Sequence, residues 1–173
     1  MKTLKRSSTK FLKQPEHTAR RIAMKPFTKI LTAIDFSENS ESAFDYALTL
    51  ATQFDAELTI IHVINEPVDL RGFYVPHISF EQLEKEIEES AVKMMAEFCT
   101  ARLGTFSNYK TEIITGIPHD EITATASKIN ASLIVIGTHG RTGLDRILFG
   151  STAERVVRSA ACPVLTVRLP TVC

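Results

Sequence analysis

Leu58-Thr59-Ile60-Ile61-His62-Val63-Ile64 is an almost unbroken run of apolar and β-branched residues. A strand with one face in water would alternate polar and apolar side chains. This one is apolar on both faces, as a central parallel strand covered by helices on two sides must be. The run therefore predicts a parallel sheet.

The flanking sequence repeats the theme. Upstream, Ile30, Leu31, Ala33 and Ile34 form a second short apolar strand, followed by Ser37 and Asn39 as candidate helix caps. The helix between the two strands should bury Ala43, Phe44, Ala47, Leu48 and Ala51. Downstream, residues 65 to 78, with Pro67, Gly72 and Pro76, read as a long surface loop, and Ser79-Phe80-Glu81-Gln82 fits a capping box. A long helix begins there. Phe80, Leu83, Ile87, Ala91, Met94 and Phe98 recur at three and four and are expected to face inward, with Glu81, Glu84, Glu88 and Glu89 in solvent.

The remaining units are a strand at Tyr109–Thr115, a helix opening at Pro118, a strand at Leu133–Ile136, a helix from Ser151 and a strand at Val164–Val167. Five strands alternating with four helices specify an α/β fold with an open parallel sheet. Right-handed crossovers place helices on both of its faces. Ligands of such sheets bind beyond the carboxyl ends of the strands.

The chain has 173 residues, 44% of them hydrophobic, enough for one core of ordinary size. Its longest apolar runs are far shorter than the ~20 residues a membrane span needs, and no apolar signal core follows Met1, so a soluble, cytoplasmic protein is expected. Cys99, Cys162 and Cys173 form neither an even disulfide set nor a C-x-x-C pair, which argues for a reducing compartment and against a structural metal or redox chemistry.

Net charge is zero but unevenly spread. Residues 1 to 26 hold eight Lys/Arg against Glu16 alone, leaving 12 basic and 19 acidic residues for the rest, so the arm carries +7 and the body −7. The arm (1–26) is read as a basic, flexible tail and residues 27–173 as one domain. The tail's chemistry suits nucleic acid, an anionic membrane surface or the acidic body itself. It equally fits upstream sequence preceding a start at Met24.

The segment richest in chemistry is Gly137-Thr138-His139-Gly140-Arg141, continuing to Gly150-Ser151-Thr152, which leaves the fourth strand and ends at a helix N-terminus. Glycines at 137 and 140 permit close approach of backbone to ligand, and Gly150 and Ser151 offer amides and a hydroxyl at a positive helix end. Together they suit a polyphosphate. The competing reading is that Gly137, Gly140 and Gly143 merely turn the chain and Ser151 merely caps a helix. A G-x-x-x-x-G-K-[ST] loop is absent, and Asp35-Phe36-Ser37 stands where a dinucleotide fingerprint would need glycines.

Gly137-x-x-Gly140, nine residues, then Gly150-Ser151 resembles the G-2x-G-9x-G-[ST] signature of the ATP-binding branch of the universal stress protein family. The likeness runs from about Lys29 to Arg168 and includes Lys29 to Ser37, His62-Val63 and Cys162-Pro-Val-Leu165. It implies a Rossmann-like, adenine nucleotide alpha hydrolase-type sheet in the order 3-2-1-4-5. It also implies ATP, with Mg2+ or Mn2+, as cofactor. Ala33, Ile34 and Asp35 would line the nucleoside, and Val63 would meet adenine through its backbone. Ile136, Gly137, Thr138, His139, Gly140 and Arg141, with Gly150, Ser151 and Thr152, would hold ribose and phosphates. Pairing of the Val164–Val167 edge strands would give a homodimer.

Asp35 carries its own argument, since a carboxylate at a strand's carboxyl end can accept from a ribose hydroxyl or hold a divalent cation beside phosphate. Capping the first helix is its alternative role. No residue earns a catalytic label. His139 lacks a partner carboxylate, His62 reads as a satisfied, partly buried histidine, and Arg155 as an exposed arginine near a helix start. Gly116-x-Pro118 with His119 and Asp120 reads as a turn into the third helix. The expected function is a nucleotide-dependent regulatory or stress-response protein acting through dimerisation and a protein partner. A slow ATPase or nucleotide hydrolase, and an adaptor using the basic arm, are the alternatives.

Overall fold

The computed structural model describes residues 27–65, 80–138 and 150–169. The basic arm, the 66–79 loop with Ser79 of the expected capping box, and residues 139–149 lie outside the described residues. Nine elements follow in order: β1 (Lys29–Ala33), α1 (Glu38–Phe54), β2 (Glu57–Asn65), α2 (Phe80–Arg102), β3 (Tyr109–Gly116), α3 (Pro118–Lys128), β4 (Leu133–Gly137), α4 (Ser151–Ser159) and β5 (Val164–Val167). All strands pair in parallel in the order β3-β2-β1-β4-β5. The 3-2-1-4-5 expectation is met.

That order explains the two layers. The chain steps from β1 outward to β3, then crosses back to β4 and proceeds to β5 on the other side. Right-handed crossovers taken in opposite directions put α1 and α2 on one face and α3 and α4 on the other. The first layer buries Ile30, Leu58, Ile60 and Val135 against Phe44, Ala47, Met95 and Phe98. The second buries Leu31, Ile61, Ile134 and Ile136 against Ile122, Ala126, Ala153 and Val156. Consecutive strand residues thus enter different cores, which is why β2 and β4 read as unbroken apolar runs.

Local signals set the helix ends. Ser37 is the N-cap of α1, its side chain accepting from the Ser40 amide at 3.3 Å, whereas Asn39 falls inside the first turn. Asp55 closes the helix in the left-handed conformation (φ 53°). Pro118 opens α3, where its missing amide costs nothing.

Helix α2 departs from expectation. Ala91 and Phe98 are buried, but the buried set continues through Met95 and Cys99, while Ile87 and Met94 are 43% and 37% exposed. Leu83 is half-buried, and the remaining residues from Glu81 to Ser90 are exposed. The expected stripe followed a 3.5-residue seam along the whole helix. Only the second half meets the sheet, and a straight helix of 3.6 residues per turn rotates Met95 inward in place of Met94. Arg102 anchors that half to α1 through Glu41 and through Asp45 at 3.1 Å.

Phe44 has no exposed surface and stacks edge-on against Phe98, with ring centroids 4.8 Å apart. Phe44→Ala should therefore destabilise the fold by about 3–5 kcal/mol, read as a lower urea midpoint in equilibrium unfolding.

Candidate nucleotide site at the strand order reversal

The strand order reverses between β1 and β4, which pair in parallel with Ala33 opposite Ile136. Chains leaving these neighbours diverge to opposite faces of the sheet and leave a crevice at their carboxyl ends. Ile34 extends the ladder past β1, its amide donating to the Ile61 carbonyl at 2.9 Å. β2 runs on from Ile61 through Val63 to Asn65 and overhangs β1.

Beyond Ile34 the backbone turns sharply. Phe36 adopts φ 63°, and Asp35 Oδ1 accepts from the Ser37 amide (3.1 Å) and the Ser37 hydroxyl (2.6 Å). The Asp35 amide donates to Ser40 Oγ, whose own proton goes to the Ser37 carbonyl at 2.9 Å. Asp35 therefore braces the turn while Ser37 caps the helix. Ser40, 4% exposed, was missed by sequence reasoning. Its signal was the serine three residues after the cap, where a hydroxyl can fold back on the turn.

On β4, the Thr138 amide donates to the Val167 carbonyl at 2.8 Å, and the Thr138 carbonyl accepts from the Gly150 amide at 2.7 Å. This last bond joins the two ends of the segment 139–149, so Gly137 and Thr138 lie beside the start of α4. His139, Gly140 and Arg141 lie outside the described residues. Gly150, not Ser151, is the N-cap of α4, with extended backbone (φ −68°, ψ 155°) and no side-chain cap. The first intrahelical bond in this turn runs from the Glu154 amide to the Gly150 carbonyl. Helix geometry leaves the Ser151, Thr152 and Ala153 amides without intrahelical acceptors, an arrangement suited to an anion. Ser151 is exposed and Thr152 half-buried.

Gly137 has a packing cause besides any ligand: a Cβ there would stand 2.9 Å from the Asn39 carbonyl oxygen. The first turn of α1 thus rests directly on the end of β4.

The two histidines among the described residues are engaged. His62 Nδ1 is 2.8 Å from the Ile34 carbonyl oxygen and its ring packs on Phe36 at 4.7 Å. His119 Nε2 lies 3.3 Å from Asp120 and 3.5 Å from the Arg155 guanidinium, linking α3 to α4. Burial pushes the Cys99 thiol up, and likewise that of Cys162, where a backbone hydrogen bond partly opposes it. Both are thereby disfavoured as thiolate nucleophiles. Among the described residues no group of three or more His, Cys, Asp or Glu is arranged to hold a metal.

The profile of the universal stress protein family matches residues 26–168. The chain belongs to this family. Universal stress protein MJ0531 of Methanocaldococcus jannaschii is 40% identical over 148 residues, covering 83% of this chain and 84% of that one. The solved structure of MJ0577, from the same organism, superimposes with a TM-score of 0.74 at 30% identity over 86% of this chain and 100% of that one. UspA of Lactobacillus plantarum gives 0.70 at 29%, covering 83% and 99%. Universal stress proteins solved in complex with cAMP and with dAMP, 21% identical in each case, share the fold at TM-scores of 0.56 and 0.51. Among the described residues of this universal stress protein, no helix is long and apolar enough to cross a membrane.

Gly137→Ala should lower stability by about 1–3 kcal/mol, because the added methyl meets backbone rather than a movable side chain. Thermal unfolding without ligand measures this; an unchanged midpoint would show that α1 does not press on β4.

Proposed function

We propose that the chain binds ATP in the crevice between β1 and β4 and acts as a nucleotide-dependent regulatory protein of the stress response, through dimerisation and a protein partner. The observation that carries this reading is the Gly137-Thr138 strand end held to the uncapped start of α4 by the Thr138–Gly150 backbone bond, with Asp35 at the end of the neighbouring strand. The adenine nucleotides seen with two proteins of this fold support the ligand class.

In this reading Ala33, Ile34 and Asp35 line the nucleoside and the Val63 backbone meets adenine. Ile136 to Arg141 with Gly150, Ser151 and Thr152 hold ribose and phosphates. Fit to phosphate rests on a glycine at the cap, where a side chain would otherwise occupy the helix end, and on the first-turn amides of α4. A divalent cation, Mg2+ or Mn2+, would come with the nucleotide and would supply neutralisation of phosphate charge. The carboxylate nearest to that role is Asp35, which Ser37 holds in place.

Titration calorimetry with MgATP should show binding that Gly140→Val abolishes and Asp35→Ala weakens about tenfold, or ~1.4 kcal/mol. No heat from the unaltered chain would sink the reading. Phosphate release should stay near background, since no described residue is placed as a base for water; release that Asp35→Ala eliminates would instead establish hydrolysis.

Dimerisation is assigned to the β5 edge, which among the described residues pairs only with β4 and leaves Leu165 36% exposed. Sedimentation at micromolar concentration should give a dimer that Leu165→Lys converts to monomer.

A further inference from the structure

One face of α2 changes character along its length. Glu81, Glu84 and Glu88 recur at three and four residues, and the same row continues as Val92, Met95 and Cys99. Elsewhere on the helix the charges are satisfied: Lys85 pairs with Glu89, Lys93 with Glu97, Gln82 donates to Glu86, and Arg102 reaches α1. Glu81, Glu84 and Glu88 have no ion-pair partner among the described residues. The row descends into a groove of about 740 Å3 between α2 and β3 with a mixed lining, Glu88, Thr100 and Thr111 beside Val92, Phe106 and Ile113. Val92 is 52% exposed there, and among the described residues β3 pairs on one side only, with β2.

The chain itself carries a complement. Residues 1 to 26 hold the +7 that balances the body's −7, and within them Lys10-Phe11-Leu12-Lys13 sets two large apolar side chains between two lysines. The arm joins the fold at the right end of the sheet. The Glu57 amide donates to the Thr28 carbonyl and the Leu58 amide to the Asn108 carbonyl, each at 3.0 Å. These bonds line up the starts of β1, β2 and β3 in one row. From Thr28 to the near, Leu103–Phe106 end of the groove is about two strand spacings, roughly 10 Å. Helix α2 runs antiparallel to the strands, so Glu88 and Glu84 lie a further ~20–27 Å along its axis. The sixteen residues from Leu12 to Phe27 span about 50 Å when extended, which covers that distance.

We propose that Lys10–Lys13 of the N-terminal arm docks in this groove of its own chain, Phe11 and Leu12 against Val92 and the apolar side chains beside it and the lysines beside Glu84 and Glu88. Exposed ion pairs contribute little singly, so the two apolar side chains supply most of the attraction and the charges supply orientation and salt sensitivity. Tethering makes the encounter intramolecular, at an effective concentration in the millimolar range, so modest affinity suffices. The proposal goes beyond the nucleotide reading and uses no residue of that site.

Hydrogen exchange on the full chain tests it, followed by mass spectrometry of peptides containing residues 10–13. At low salt these amides should exchange about three- to tenfold more slowly than in an isolated arm peptide, independently of protein concentration. Phe11→Ser with Leu12→Ser should remove the slowing, as should Glu84→Lys with Glu88→Lys, two exposed positions whose change leaves the unfolding midpoint in place. Adding Lys10→Glu and Lys13→Glu to the latter pair should restore it. Exchange at the free-peptide rate in the unaltered chain, or slowing that survives both double variants, overturns the proposal. Slowing that grows with protein concentration also overturns it, placing a second copy's arm in the groove.

Discussion

The parallel pairing of β1 with β4 is the constraint on which the rest of the molecule depends. It brings together strands separated by about a hundred residues of chain and by three helices, and it is the line across which the sheet changes direction. Because crossovers are right-handed, reversal at that line distributes the four helices between the two faces and opens the crevice at the strands' carboxyl ends. The buried apolar side chains of β1, β2 and β4 are then committed to one of two cores. A shift of register by one residue would exchange the two apolar sets.

What sits at the crevice is held by backbone more than by side chains. The Thr138–Gly150 bond brings β4 to the start of α4, and Gly137 lets the first turn of α1 rest on the strand end. On the β1 side, Asp35, Ser37 and Ser40 form a short polar relay that sets both the turn and the helix cap. Asp35, Gly137 and Gly150, which would meet a nucleotide in the proposed reading, thus have structural roles of their own. Substitution there acts on stability and on ligand together, and stability without ligand must be measured separately.

Helix α2 shows the opposite arrangement. Its second half is fastened by Met95, Phe98, Cys99 and the Arg102 ion pairs, while its first half presents carboxylates to solvent. Among the described residues, Glu81, Glu84 and Glu88 have no ion-pair partner.

The sequence by itself determined the element order, the parallel character of the sheet and the helix starts at Ser37, Pro118 and Gly150-Ser151. These depend on side-chain period and local turn chemistry, which a few neighbouring residues specify. The strand order 3-2-1-4-5 was legible only through the family resemblance, because periodicity says nothing about which strands become neighbours. The tertiary structure alone decided that Met95 replaces Met94 in the core, and that Asn39 dictates glycine at 137. It also decided that Ser40 ties the Asp35 turn and that Gly150 closes onto Thr138. Each of these is a meeting of atoms set by packing around the β1–β4 line, where helix rotation and strand register act together and no local pattern carries the information.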